Sequence, residues 1–243
     1  MMRRFVTLTG MAGAVALGAG IALADEGSVT GKLTLKGGKD AAGKRFVLDM
    51  SANEDCKKIH AGAKVGSETE IVGKEGEIQN VLVYVKAGLG DKKFTPPSEP
   101  AELDQQGCVY VPHVFGVMVG QKLLIKNTDP TLHNVHGLPV KNEEFNTPQP
   151  AEGAPIEKVF KRAEEPFLVK CDVHPWMGAY CGVFEHPYFA VTAKDGTFTI
   201  KGLPFGEYTI EAWHEVYGKK EMKVKVDSAA PATANIEMEP AKK

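Results

Sequence analysis

Much of the common catalytic vocabulary is missing from this chain. It has no Gly-x-Ser-x-Gly elbow, no Gly-rich phosphate-binding loop and no dinucleotide fingerprint, which excludes the enzyme classes built on those motifs. Neither sign of charge is in excess, with 29 Lys and Arg against 31 Asp and Glu, and this balance argues against nucleic acid as a partner. Beyond residue 24 there is no run long and apolar enough to cross a bilayer, and no cysteine placed to carry a lipid. Histidine and cysteine are also sparse, at seven and four residues, so each can be read in its own context.

Residues 1–24 carry Arg3 and Arg4, then an apolar stretch, then Ala22-Leu23-Ala24 before Asp25. This pattern predicts a cleaved secretory signal, and its diluting Gly and Ala make a membrane anchor the weaker reading. The arginine pair is a weak hint of twin-arginine export. Cleavage removes two arginines and no acid, taking the formal charge from −2 to −4. The expected product is a soluble, periplasmic or secreted bacterial protein with no membrane span, in a compartment where cysteines oxidise.

The rest of the chain reads as β-structure. Alternation of apolar and polar residues predicts strands at Ser28 to Lys36, Arg45 to Met50 and Ile78 to Lys86. Gly88 to Glu102, with Pro96-Pro97 and Pro100, predicts a boundary loop. Strand patterns resume over Cys108 to Val119, Lys122 to Lys126, Pro166 to Cys171 and Ala179 to Phe184, with a long loop expected from Pro139 to Pro155. After Pro187 come short strands with crisp turns, at Phe189 to Thr192, Thr197 to Ile200, Glu207 to Trp213, Glu221 to Val226 and Ala234 to Met238.

One constellation carries chemistry. Cys171-Asp-Val-His-Pro-Trp-Met177 places a thiol, an imidazole and a thioether within seven residues, between two predicted strands, so that all three donors converge from one hairpin loop. A thiolate, two imidazoles and a weak axial thioether suit copper passing between Cu(I) and Cu(II). The second imidazole is available from Thr131-Leu-His-Asn-Val-His136, a loop after the turn Asn127 to Pro130. His133 is preferred to His136, because Asn134 beside it can hydrogen-bond the cysteine loop and hold the site rigid. His136 remains the alternative ligand.

With these residues in view, the chain resembles the blue copper (cupredoxin) proteins of the amicyanin and plastocyanin type. The likeness lies in the ligand loop Cys-x-x-His-Pro-aromatic-Met, in His133-Asn-Val-His136, and in Val119-Gly120 and Asn127, and it covers about residues 108–185. The resemblance implies a Greek-key β-sandwich holding one type 1 copper ion through His133, Cys171, His174 and Met177. It implies electron transfer rather than enzymatic catalysis, with a cytochrome or periplasmic dehydrogenase as partner. It also implies that His174 faces solvent within an apolar patch to which Pro175, Trp176, Leu138 and Pro139 could contribute. With only seven histidines, a multicopper oxidase is excluded.

Asp195-Gly-Thr-Phe-Thr-Ile-Lys-Gly-Leu-Pro-Phe-Gly is similar to carboxypeptidase-regulatory-like, or transthyretin-like, sandwich modules. The organisation expected is therefore all-β, with the signal at 1–24, an N-terminal β region at 25–95, the copper domain at 96–187 and a second small sandwich at 188–243. Tandem order is expected. The alternative is that 25–95 belongs to the C-terminal sandwich, with the copper region inserted. On the copper reading Cys171 is a ligand, Cys181 is left as a buried thiol, and Cys56 and Cys108 remain to form a disulfide. The competing assignment is two disulfides, one of them joining Cys171 and Cys181. His113, His60, His186 and His214 are weaker candidates: His113 and His186 read as structural, and His214-Glu215 lacks the second histidine of a zinc-protease motif.

Overall fold

The computed structural model describes residues 25–241, so the signal expected at 1–24 lies outside it. In chain order the elements are β1 (Glu26–Leu35), α1 (Glu54–Ile59), β2 (Leu82–Ala87), β3 (Ala101–Gln105), β4 (Tyr110–Val111), β5 (Val114–Met118), β6 (Lys122–Asn127), β7 (His133–Gly137) and β8 (Phe145–Gln149). They continue with β9 (Ile156–Val159), β10 (Glu164–Lys170), β11 (Gly178–Phe184), β12 (Phe189–Val191), β13 (Thr197–Pro204), β14 (Gly206–His214), β15 (Gly218–Val226), β16 (Ala232–Thr233) and β17 (Ile236–Met238). The fold is all-β.

Period-two alternation makes each strand bury one face. In β1 this face is Val29, Leu33 and Leu35, which need a partner sheet, and they find it at the far end of the chain. β1 pairs antiparallel with β13 and parallel with β16 and β17, while β2 lies between β12 and β14, with β15 beyond. Residues of both sheets, among them Val29, Leu33, Val83, Ile200, Ile210 and Val226, form one core. The first and last segments thus share a sandwich, in place of a simple tandem order.

A second pair of sheets, ordered β5-β11-β10-β7-β8 and β4-β3-β6-β9, encloses another core of Leu103, Tyr110, Leu123, Ile125, Val135, Val169 and Val183. The two sandwiches meet where Leu82, Tyr84, Val114 and Phe184 bury one another. Glycine makes the approach close enough: a Cβ on Gly182 would stand 2.8 Å from the Leu82 side chain, and one on Gly116 2.6 Å from the Phe189 ring.

Several segments differ from the sequence expectation. Arg45 to Met50 makes one isolated bridge, Val47 to Gly66, and no ladder. Phe46 and Val47 face solvent while Leu48 and Met50 turn onto Cys56, Cys108 and Trp176, so the alternation serves a flap and not a sheet. The expected loop from Pro139 to Pro155 contains β8, whose register with β7 runs from His133↔Gln149 to Gly137↔Phe145. β8 is an edge strand, and an edge tolerates the Pro148 and polar residues that obscured it. His133 opens β7 and does not sit in a loop. β3, which starts at the end of the proline-rich boundary, was not expected, nor was β9.

Candidate metal centre

The centre is assembled where β7 begins and where the β10–β11 connection turns. β10 ends at Lys170, and Cys171 to Met177 form a tight loop in which the Cys171 N–H donates to the Met177 carbonyl (3.3 Å) and the Met177 N–H to the His174 carbonyl (2.9 Å). This loop carries Cys171, His174 and Met177 at one end of the sandwich, all at 2% exposure or less. At the end of β6, the Asn127 amide donates to the carbonyls of Thr131, Gln149 and Pro150 and its Oδ1 accepts from the Asp129 N–H. That turn delivers His133, fully buried, against the loop.

One ligand-type atom each from His133, Cys171 and His174 lies within 4.8 Å of the other two. The His133 and His174 Nδ1 atoms are 2.8 Å apart, and the Cys171 Sγ is 3.8 Å from His174 Nδ1. Met177 shares the buried cluster that contains Cys171 and Trp176. His136 is not brought in: its Nδ1 pairs with Asp172 (2.8 Å) and its Nε2 with Glu144 (3.0 Å). A second grouping of Cys108, Asp129 and His133 is no ligand set, since the Cys108 sulfur is joined to Cys56. The Cys56–Cys108 disulfide and the free, buried Cys171 and Cys181 match the pairing expected by elimination.

The surroundings make the Cys171 thiol easier to ionise. Burial pushes the Cys171 thiol up, but contacts with His133 and with main-chain amides of Asn134, His174 and Val173 outweigh it and bring the group below its ordinary value. Burial also opposes the charge on His133, and there the Asp129 carboxylate and the Cys171 sulfur prevail, holding it above the usual range. His174 is held low by burial and by the neighbouring His133. Cys181, by contrast, is fully enclosed with its thiol pushed well up, which makes it an inert core residue.

Asn134 supports the loop as the sequence suggested. Its Oδ1 accepts from the Asp172 N–H (2.7 Å), the Val173 N–H (3.3 Å) and the Cys171 thiol (3.3 Å). Asp129, read in the sequence only as part of a turn, accepts from His133 Nε2 (2.9 Å) and from the Gly107 and Cys108 N–H groups. Its position four residues before His133 was the available signal. Asn53 was missed, and no local pattern could reveal it: its Nδ2 lies 2.8 Å from His174 Nε2 across 121 residues of sequence.

The surroundings of His174 overturn the solvent-facing expectation. His174 is 1% exposed, covered by Asn53 at the start of α1, which the Cys56–Cys108 disulfide ties to the approach to β4. Trp176 lies against the His174 ring, with centroids 5.1 Å apart, and donates from Nε1 to the Cys108 carbonyl (3.0 Å). Pro175 is exposed, while Trp176, Leu138 and Pro139 are half-buried and frame no open imidazole edge. The other histidines have structural partners: His60 contacts the Gly107 carbonyl, His113 pairs with Glu215, His186 stacks on Phe184 and Tyr188, and His214 Nδ1 accepts from the Val216 and Tyr217 N–H groups.

No family model and no curated protein matches the chain. The solved structures it is similar to include a copper-containing nitrite reductase from Thermus scotoductus, at 23% identity and TM-score 0.33 over 42% of this chain. They include a purple cupredoxin from Nitrosopumilus maritimus, at 24% identity and TM-score 0.29 over 34%, and a Cu(I) amicyanin variant, at 17% identity and TM-score 0.32 over 42%. The chain spans 25% of the nitrite reductase, but 98% and 97% of the two others. Among the described residues, no helix is long and apolar enough to cross a membrane.

Proposed function

We propose that this chain is a periplasmic type 1 copper protein that carries single electrons between redox partners and is not itself an enzyme. In this reading His133, Cys171, His174 and Met177 would hold the ion, with the two imidazoles and the thiolate as the stronger donors and the thioether as the weaker one. The observation that carries it is the convergence of one ligand-type atom each from His133, Cys171 and His174 within 4.8 Å, in a buried pocket whose thiol is held below its ordinary value. Two imidazoles, a thiolate and a thioether fit copper better than the all-cysteine or oxygen-rich sets used for structural zinc or calcium. One copper ion, when bound, supplies the Cu(II)/Cu(I) couple.

The chain's own contribution is to hold the donors still. Asp129 fixes the ring orientation of His133, Asn134 ties the cysteine loop to β7, and the core of β7, β10 and β11 keeps water away from the sulfur. Donors held this way rearrange little between oxidation states, as a carrier requires. The partner would be a cytochrome or a periplasmic dehydrogenase, with the transthyretin-like sandwich built from 25–95 and 188–243 available as a docking module.

A second reading is favoured by one observation, the burial of His174 beneath Asn53. A covered imidazole suits a copper-handling component of an envelope assembly better than a freely exchanging carrier. Mixing reduced copper protein with an oxidised small cytochrome in a stopped-flow instrument separates the two. Second-order exchange at about 10⁵ M⁻¹s⁻¹ or faster supports the carrier. A coloured, redox-active protein that does not exchange with a panel of cytochromes refutes it in favour of the handling role.

A further inference from the structure

The two imidazoles of the centre are prepared in opposite senses. Asp129 can only accept from His133 Nε2, so His133 carries a hydrogen there and Nδ1 is the atom turned toward the pocket. Asn53 does the reverse to His174. Its Oδ1 is engaged by the Asp55 N–H (3.1 Å) and the Cys56 N–H (2.9 Å) as the N-cap of α1, so the atom left for His174 Nε2 is the donating Nδ2. His174 Nε2 must therefore accept, which places the ring's hydrogen on Nδ1.

A metal ion held through His174 Nδ1 is incompatible with that placement. The hydrogen must then reside on Nε2, where it would point at the Asn53 amide hydrogens. Either the Asn53 side chain rotates its oxygen toward His174 and uncaps α1, or α1 moves away from the ring. Resting on the metal-site reading above, we propose that Asn53 is a positioning residue that opposes metal at His174 and couples occupancy of the centre to release of the α1 flap. Loading the site then uncovers the His174 edge, which the Asn53 contact closes.

Asn53→Asp and Asn53→Ser separate this from a plain capping role. Both residues cap a helix. Only aspartate can keep the cap with one oxygen and accept from His174 Nε2–H with the other, as Asp129 does for His133. Zn(II) affinity of the full chain, measured by competition with a chelating dye, is expected to rise about tenfold or more in Asn53→Asp over both wild type and Asn53→Ser. Amide hydrogen exchange at Asp55 and Cys56 is expected to quicken about tenfold on Zn(II) loading in wild type and to stay unchanged in Asn53→Asp. Equal affinity in all three proteins, or unchanged exchange in Zn(II)-loaded wild type, overturns the proposal while leaving the metal site standing. Failure of all three to bind one Zn(II) per chain overturns it by removing the metal site.

Discussion

Replacing Asn134 with alanine in the metal-free protein tests whether one side chain holds the cysteine loop to β7. The substitution strips the acceptor from the Asp172 N–H at 2.7 Å and the Val173 N–H at 3.3 Å, and removes the Nδ2 donation to Asn146 Oδ1 at 2.6 Å. Leaving a buried N–H without a partner costs about 1–3 kcal/mol. These two amides are only part-buried, so the lower end applies, about 1 kcal/mol each. The Asn146 bond adds about 1 kcal/mol, for a total of about 3 kcal/mol. Asn146→Ala, which removes that last bond and the Asn146 Nδ2 donation to Asp172 Oδ2 at 2.7 Å, should cost about two thirds as much, about 2 kcal/mol. Urea denaturation followed by circular dichroism reads both, with the slope unchanged. If Asn134→Ala lies within about 0.5 kcal/mol of wild type, Asn134 is not what fixes the loop and the account of the site's rigidity fails.

Three further outcomes follow from other parts of the molecule. Opening the Cys56–Cys108 disulfide by paired alanine substitutions frees a loop with a sequence separation of 52, and the chain-entropy relation gives a loss of about 4 kcal/mol; a change in the denaturation midpoint too small to measure would contradict the tethered flap. His214 is buried with its pKa lowered to about 4 by desolvation and the nearby His113, so only the unfolded chain takes up its proton as pH falls from 6.5 toward 4. Stability should drop by up to about 3 kcal/mol over that window. An asparagine side chain in its place keeps an acceptor for the Val216 and Tyr217 amides but does not titrate, so His214→Asn should lose this pH dependence; an unaltered slope in that variant assigns the effect elsewhere. Gly31→Ala would place a Cβ 1.9 Å from the Ala234 carbonyl oxygen where β1 meets the C-terminal strands. It should cost about 3 kcal/mol by thermal denaturation, and a neutral result would contradict that strand pairing.

The candidate ligands were readable because their information is local. Cys171, His174 and Met177 fall within one seven-residue loop, so spacing and chemistry nominated them, while the choice of His133 over His136 leaned on Asn134 beside it and on the family resemblance. What lay outside reach depends on pairing across long separations. Nothing in Ser28 to Lys36 says that it will lie beside Thr197 to Pro204, since alternation specifies a buried face and not the strand that covers it. β8 was hidden by a proline that an edge position tolerates, and Arg45 to Met50 carried a strand's alternation in a flap. The burial of His174 follows from Asn53, an ordinary N-cap by sequence, and only the disulfide and the fold bring the two together.

The central claim is that Cys171 is a copper ligand beside two imidazoles. The most direct measurement is the visible spectrum of the protein loaded with Cu(II), with metal content determined on the same sample, for wild type and Cys171→Ser. One copper per chain, with intense thiolate-to-copper absorption that Cys171→Ser abolishes, is the predicted result. A pale, ordinary Cu(II) spectrum at the same stoichiometry, or one that Cys171→Ser leaves unchanged, would contradict it.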